Sequence, residues 1–404
     1  MESAGIVVEY NPFHNGHLYH LHETKKQTGA DVIIAVMSGN FLQRGEPAIV
    51  SKFHRTKMAL KAGIDLVIEL PYAFATQNAN TFAKGAVQIL QALGCKYIVF
   101  GSESGNIDTF KSTIDFMKNS TTIYNKYVKD FMKKGYSYPK ASSLAFQQLN
   151  PDHDHLDLSQ PNNILGYHYM KTIIDYEYPI EGRTILRIKS GYHDKDLSQE
   201  HISSATSIRK NIFENNQSLH EVRSSLPSFT YEELELFQQK FASFIQWENL
   251  WPFLKYKLIH SHNKDLQNLY EVEEGIENRM KDAALLAGSF KHFMELIKSK
   301  RYTWTRLQRI STHILTNTNK EEMFQASQNA QYIRILGLNQ KGRDYLKQNK
   351  KKIELPIISK LSAAKIPSIK LDIRASQVYS FGLPNQNQQQ LLEMEYKQPV
   401  IQFE

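Results

Sequence analysis

The N-terminal half of this chain alternates short β-branched runs with helical patterns, and that rhythm constrains the fold more than any other feature. Strands alternating with helices build a parallel sheet whose crossover helices cover both faces. The predicted strands are 5–9, 31–37, 65–70, 96–100 and 183–189. The predicted helices are 15–27, 51–61, 78–93, 108–149 and 160–174, with a further helix starting near Thr206. We therefore predict an α/β fold with a doubly wound parallel sheet.

The strand rhythm disappears beyond residue 214, and polar helical patterns continue to about Lys352. A chain of 404 residues is long enough for two domains. We predict one domain over residues 1–214 and a second, mainly helical domain over residues 215–404. Within the second, the Gln/Asn-rich segment 385–390 is predicted to be loosely ordered.

Composition excludes several classes of protein. Apolar residues make up 41% and charged residues 22%, as in ordinary globular proteins, and no apolar run approaches the length of a membrane span. The N-terminus does not resemble a signal peptide, so we expect a cytoplasmic protein with no membrane partner. We also expect no stable protein partner. The single cysteine, Cys95, allows neither an internal disulfide nor a thiolate zinc site. The net charge of +8 favours a polyanionic partner such as nucleic acid.

The strongest local signal is GIVVEYNPFHNGHLYHL (5–21), a predicted strand followed by a turn and a helix. Ligands of parallel α/β domains bind beyond the carboxyl ends of the strands, where a helix N-terminus offers free N–H groups. Gly16 allows a close backbone approach, and His14 and His17 could donate to phosphate and supply part of the positive charge. The alternative is a solvated helix start with ordinary histidines. The position of the motif favours a phosphate site with His14 and His17 as catalytic residues.

HxGH in this setting resembles the nucleotidyltransferase superfamily, whose members act on the α-phosphate of ATP and release pyrophosphate. A second string, ISSATSIR (202–209), resembles the ISSTxIR signature of that superfamily with one extra residue. There the hydroxyls of Thr206 and Ser207, with Arg209 just inside the helix, would face the β- and γ-phosphates. The alternative is an ordinary capped helix.

Longer strings resemble the bacterial tRNA(Met) cytidine acetate ligase family more closely, and together they extend over most of the chain. They are VEYNPFHNGH, MSGNFLQRGEPAI (37–49), DLVIELP (65–71), FGSE (100–103), PNNILGYHY (161–169), GYHD (191–194), EGIENR (274–279) and KSKRYTWTRLQR (298–309). The resemblance implies that acetate and ATP form acetyl-adenylate and pyrophosphate. The acetyl group would then pass to the N4 amine of the wobble cytidine of elongator tRNA(Met).

The same resemblance implies which residues hold ATP. Gly101 would approach the adenosine, Asn162 would contact the nucleotide, and Arg187 would balance phosphate charge. Mg²⁺ is expected to accompany the pyrophosphate group, although no carboxylate spacing identifies its ligands. The predicted ATP-binding residues are Val7, Val8, Glu9, Tyr10, Asn11, Pro12, Phe13, His14, Asn15, Gly16, His17, Leu18, Tyr19, His20, Gly101, Asn162, Arg187, Thr206 and Ser207.

The segment 298–309 contains basic residues and no acidic residue, interleaved with Tyr302 and Trp304. Basic side chains can follow a phosphate backbone, and aromatic rings can stack on unpaired bases. A solvated helix face is the alternative. The predicted RNA-binding residues are Arg279, Lys300, Arg301, Arg306 and Arg309.

Two further strings can each be interpreted as functional or as merely structural. Arg44 and Glu46 in QRGEP (43–47) either line the pocket or belong to an ordinary turn. The string DHDH (152–155) has metal-ligand residue types, but it is more typical of a solvated loop.

Two other functions compete with the ligase. The first is a cofactor-type adenylyltransferase, against which the chain length and the basic helical half argue. The second is a non-catalytic RNA-binding protein with a retained nucleotide pocket, which a pyrophosphate-release assay would distinguish from either enzyme.

Overall fold

A computed structural model describes residues 1–151, 155–187, 203–361 and 364–404. Its strands are β1 (Ser3–Val8), β2 (Val32–Ser38), β3 (Leu66–Leu70), β4 (Tyr97–Ser102), β5 (Glu181–Leu186), β6 (Ile333–Leu338), β7 (Ile357–Ile358) and β8 (Ile401–Gln402). They form one eight-stranded sheet in the order β5-β4-β1-β2-β3-β6-β7, with β8 paired to β6. Every strand pairing in the described ranges is parallel except that between β3 and β6. The predicted α/β class with a doubly wound sheet is confirmed.

The central strand β2 shows how the sheet is buried. All of its residues are inaccessible to solvent. Its side chains alternate between two apolar clusters, with Ile33 in one and Ile34 in the other. An apolar residue at every position is typical of a parallel strand covered by helices on both faces.

The helices of the N-terminal half connect and cover these strands. They are α1 (Asn15–Thr28), α2 (Lys52–Lys61), α3 (Tyr72–Ala75), α4 (Ala79–Ala92), α5 (Ile107–Asn119), α6 (Thr121–Lys133), α7 (Tyr138–Gln148), α8 (Pro161–Asp175) and α9 (Ala205–Glu214). Helix α1 ends at Gly29, whose φ of 59° lies in the left-handed region that favours glycine.

The C-terminal half is mainly helical, and much of it packs on one face of the sheet through the larger apolar cluster. Its helices are α10 (Ser228–Phe241), α11 (Trp247–His260), α12 (Asn263–Gln267), α13 (Ile276–Leu286), α14 (Phe290–Ile297), α15 (Trp304–Leu315), α16 (Lys320–Ala326), α17 (Gln340–Asn349), α18 (Ile369–Ser380) and α19 (Asn385–Lys397). A 3₁₀ helix spans His220–Ser225. None of the helices in the described ranges is long and apolar enough to span a membrane.

Three strands of the C-terminal half join the same sheet, which the sequence pattern did not indicate. Strand β6 is buried and pairs antiparallel with β3, which is distant from it in sequence. A single β-branched run among helices gives no local signal of such a long-range pairing. The domain boundary at residue 214 stays a prediction, and the sheet includes strands from both sides of it.

Two local predictions were wrong. The segment 385–390 is not loosely ordered, because it forms the start of α19, which Leu391 and Glu395 anchor in the interior. The predicted single helix over 108–149 is three helices, α5 to α7, with a break at Ser120 and another at Gly135, whose φ is 85°.

Candidate active site

The order of the strands locates a crevice between β1 and β4. After β1 the chain enters α1, whose Leu21 packs in the larger apolar cluster on one face of the sheet. After β4 it enters α5, whose Phe110 packs in the apolar cluster on the opposite face. Helices that depart to opposite faces leave a gap beyond the carboxyl ends of the two strands, where ligands of such sheets bind. The HNGH motif follows β1, and Gly101 lies in β4.

His14 and His17 close the first turn of α1 with a reciprocal pair of hydrogen bonds. The backbone N–H of Gly16 donates to His14 Nδ1 at 3.0 Å, and the backbone N–H of His14 donates to His17 Nδ1 at 3.2 Å. Because each Nδ1 accepts a hydrogen bond, a neutral imidazole at either position carries its proton on Nε2. The two rings stack with their centroids 3.8 Å apart. Both Nε2–H groups therefore remain available as donors.

Burial favours the neutral form of both histidines, whereas the sequence pattern predicted that they supply positive charge. Burial, reinforced by the charges of Arg187 and Arg209, lowers the pKa of His14 to about 4. Burial and the neighbouring His14 and His20 hold the pKa of His17 well below its usual range. The side chain of His17 is half-buried. The cations beside the motif are the two arginines.

The residues predicted to contact adenosine and phosphate come together on the β4 side of the crevice. A Cβ atom on Gly101 would lie 3.3 Å from Arg187 Cγ and 3.9 Å from His20 Cδ2, so the glycine widens the space between these two side chains. Arg187 Nη1 donates to Asn162 Oδ1 at 2.9 Å, and Asn162 Nδ2 donates to Glu103 Oε1 at 2.6 Å. These contacts fix the guanidinium and the amide beside the opening.

His20 carries an unsatisfied polar atom at the same place. Its Nε2 is buried and has no hydrogen-bond partner among the described residues. Burial, with the charge of Arg187, lowers the pKa of His20 to about 4. A buried polar atom without a partner calls for an explanation, and a ligand bound beside Gly101 would supply one.

The start of α9 forms another wall, and Ile202 of its motif lies outside the described residues. Ser204 caps the helix by accepting from the backbone N–H of Ser207 at 3.1 Å, and Thr206 and Ser207 are exposed. Arg209 donates to the carbonyl oxygen of Asn11 at 2.8 Å and pairs with Glu46 at 2.7 Å. The predicted phosphate-facing arginine thus also ties α9 to the turn after β1.

The QRGEP loop connects the crevice to the helical half. The backbone N–H of Gln43 donates to Glu9 Oε1 at 2.7 Å, while the carbonyl oxygen of Gly45 accepts from Trp247 Nε1 at 3.1 Å and from Thr312 Oγ1 at 2.7 Å. A Cβ atom on Gly45 would lie 2.6 Å from the backbone nitrogen of Arg309, so the loop packs directly on α15. Of its two charged residues, Glu46 pairs with Arg209 and Arg44 is exposed.

Arg55 is a functional residue that the sequence did not reveal. Its guanidinium is fully buried and donates to the carbonyl oxygens of Glu9 at 2.7 Å, Ser38 at 2.9 Å and Val50 at 3.3 Å, and also to that of Gly39. Burial lowers the pKa of Arg55 to about 10. The side chain fastens the ends of β1 and β2 where the nucleotide motif begins. A basic residue in a polar helix usually faces solvent, so the residue pattern around Arg55 did not indicate this role.

The arginines predicted to bind RNA are already paired. Arg301, Arg306 and Arg309 form ion pairs of 2.8 to 2.9 Å with Glu274, Glu273 and Glu271, respectively. Arg279 donates to the carbonyl oxygens of Leu296 and Lys298. Only Lys300 of the five predicted residues is exposed without a hydrogen bond or ion pair in the described part of the chain. The glutamates come from an upstream segment, which the acid-free string 298–309 did not show.

No group of three or more metal-ligand side chains occurs among the residues that the structure describes. Residues 152–154 of the DHDH string lie outside the described ranges. Glu9 remains a carboxylate beside the crevice, and burial raises its pKa. Mg²⁺ commonly binds to one or two carboxylates together with substrate phosphates, so this donor set fits a metal carried mainly by the nucleotide.

Comparisons with known proteins identify the family of this chain. The model of the HIGH Nucleotidyl Transferase family matches residues 1–394. A tRNA(Met) cytidine acetate ligase of Geobacillus sp. (strain WCH70) is 48% identical over 99% of this chain and 100% of its own length. One of Bacillus subtilis (strain 168) is 47% identical over 100% of this chain and 98% of its own.

Solved structures match over the whole chain as well. The crystal structure of Thermotoga maritima TmcAL in an apo form has a TM-score of 0.90 at 36% identity, with both chains fully covered. That of the same protein bound with alpha-thio ATP has a TM-score of 0.89 at 34% identity, again with both chains fully covered. The chain therefore belongs to the tRNA(Met) cytidine acetate ligase family of HIGH nucleotidyl transferases.

Proposed function

We propose that this protein is a cytoplasmic ligase that joins acetate to the wobble cytidine of elongator tRNA(Met) at the expense of ATP. In the first step an acetate oxygen attacks the α-phosphorus, the bond from this phosphorus to the bridging oxygen breaks, and pyrophosphate leaves. In the second step the N4 amine attacks the acetyl carbon, AMP leaves, and the amine gives up a proton. The product is N4-acetylcytidine.

The observation that carries this proposal is the pair of imidazoles at the N-terminus of α1. Their Nδ1 atoms accept from backbone N–H groups, so their Nε2–H groups are free to donate to a phosphate at this helix N-terminus. Donors aimed at charge that develops in a transition state contribute strongly to catalysis, because they need no reorganisation. Arg187 and Arg209 provide positive charge beside them.

The proposal also gives each part of the nucleotide a position in the crevice. The space above Gly101, with His20 Nε2 and the amide of Asn162 at its edge, receives the adenosine. The turn from Glu9 to His17 and the exposed hydroxyls of Thr206 and Ser207 surround the phosphates. Mg²⁺, when bound with ATP, shields the charge of the pyrophosphate leaving group, and Glu9 is the carboxylate available to it.

The experiment combines the protein with ATP, Mg²⁺, acetate and elongator tRNA(Met). AMP and pyrophosphate should appear together with one acetyl group on the wobble cytidine, detected by mass analysis of the nucleosides. A tRNA with uridine at this position should not be acetylated, since it has no exocyclic amine. Production of ADP, a requirement for acetyl-coenzyme A, or transfer of AMP to a small phosphate ester would contradict the proposal.

A further inference from the structure

A second cavity, of about 410 Å³, opens where α11 ends, and its lining shares no residue with the nucleotide crevice. Its polar lining comes from the end of α11, from α12 and the turn before it, and from the segment that precedes α16. The polar side chains of the lining include those of Lys257, His260, His262, Asp265, Asn268 and Asn317.

The polar groups of this cavity are free to bind a ligand. The side chains of Lys257, His262, Asp265, Asn268 and Asn317 have no hydrogen bond or ion pair to any other described residue. The arginines of the segment 298–309 contrast with them, because all three form ion pairs. Free amides, which both donate and accept, match the edge of a nucleobase, and a lysine ammonium matches a phosphate.

The lining residue His260 stacks on Tyr256, which lies one helical turn earlier in α11. Tyr256 is 67% exposed, and its ring lies parallel to that of His260 with the centroids 5.3 Å apart. Exposed aromatic side chains of this kind form platforms on which unstacked RNA bases pack. His260 lines the cavity, so the platform and the polar groups face the same ligand.

Hydrogen bonds connect the cavity to the reaction crevice. Leu269 lines the cavity, and the next residue, Tyr270, donates through its hydroxyl to Gln77 Oε1 at 3.2 Å. Gln43 Nε2 donates to the carbonyl oxygen of Gln77 at 2.6 Å, and the Gln43 backbone N–H reaches Glu9 at 2.7 Å. The cavity and the nucleotide crevice are therefore connected by a short chain of contacts.

We propose that this cavity binds an unstacked nucleotide of the RNA substrate while the target cytidine occupies the crevice. This inference rests on the proposed function, since it places a second nucleotide of the same tRNA. The base stacks on the Tyr256 and His260 rings, its edge pairs with the amides of Asn268 and Asn317, and Lys257 contacts a phosphate.

The test uses the full-length protein carrying Tyr256→Ala or the double change Asn268→Ala and Asn317→Ala. Loss of one stacked base should raise the KM for tRNA at least ~5-fold, while Tyr256→Phe should stay near the parent value. Acetate-dependent exchange of pyrophosphate into ATP should be unchanged, because adenylation does not use the cavity. Tyr138→Ala, which removes an exposed tyrosine of α7, is the matched control.

The outcomes separate the two proposals. An unchanged KM for tRNA in both cavity variants would overturn the nucleotide site and leave the ligase assignment intact. Absence of acetate-dependent exchange in the parent protein would instead refute the ligase assignment. A rise in KM with Tyr138→Ala equal to that with Tyr256→Ala would also overturn the site, because the effect would not be specific to the cavity.

Discussion

His17 accepts, through Nδ1, the backbone hydrogen bond of His14, and the two imidazoles stack 3.8 Å apart. The contact occupies Nδ1 of His17 and leaves Nε2 as the nitrogen that can donate to a ligand. His17→Ala removes this donor and should lower acetate-dependent pyrophosphate exchange by at least ~10²-fold. Circular dichroism should show an intact fold. His22→Ala, at an exposed position of the same helix, should keep parental activity. Near-normal exchange by His17→Ala would refute the assigned role.

Several histidines are buried in neutral form, so the protein should lose stability in acid. Burial, with the charges of Lys57 and Lys240, lowers the pKa of His54 from 6.5 to about 3. Between these values the unfolded chain binds more protons than the folded one, so the free energy of unfolding falls as pH falls through this window. His54→Gln should reduce the slope of the free energy of unfolding against pH by up to about 1.4 kcal/mol per pH unit, which is the contribution of one proton.

The measurement is denaturant unfolding at several pH values between 7 and the acid limit of the fold. His22→Gln provides the comparison, since this side chain is exposed. An unchanged slope in His54→Gln would show that His54 is not buried as a neutral group.

Arg55→Met should destabilise the protein strongly, because it leaves several buried carbonyl groups without a donor. Each unsatisfied buried group costs about 1–3 kcal/mol, so the loss in the free energy of unfolding should be at least about 3 kcal/mol. Lys57→Met changes a residue of the same helix whose side chain is 40% exposed and whose contact with Glu233 is long, at 3.9 Å. Glu233 keeps its closer ion pair with Lys61, at 3.1 Å, when Lys57 is removed. This control should change stability by less than about 1 kcal/mol. Equal effects of the two changes would contradict the described role of Arg55.

The paired arginines and the free lysine of segment 298–309 should behave differently. Arg309→Gln removes a two-pronged contact with Glu271 and should lower the free energy of unfolding by about 1.5–3 kcal/mol. Lys300→Gln should leave stability unchanged and reduce the slope of log tRNA affinity against log salt by about 0.7–0.9. Filter binding over a range of salt concentrations measures that slope. If Lys300→Gln had no effect on it, this segment would not contact RNA.

The sequence predicted the elements that depend on local pattern. The strand at 5–9 and the helix at 15–27 both follow from short-range patterns of burial and periodicity, and the structure confirms both as β1 and α1. Gly101, Asn162 and Arg187 were named only through family resemblance, and the structure brings them together beside His20.

Features that depend on distant partners could not be predicted. The neutral state of His14 results from burial by several elements, and the ion pair of Arg309 requires Glu271 from another segment. Arg55 acts on backbone carbonyls, which every sequence contains, so no residue pattern identifies its partners.

The antiparallel pairing of β3 with β6 has a consequence for the order of events during synthesis. Until the ribosome has translated residues 333–338, the nascent chain exposes one edge of β3, and an open edge can pair with another chain. Glu69 of β3 also lacks Arg334 until then, although it already contacts Lys52. The nucleotide-binding half therefore cannot complete its sheet until β6 has been synthesised, and a chaperone that shields the β3 edge before then should increase the yield of native protein.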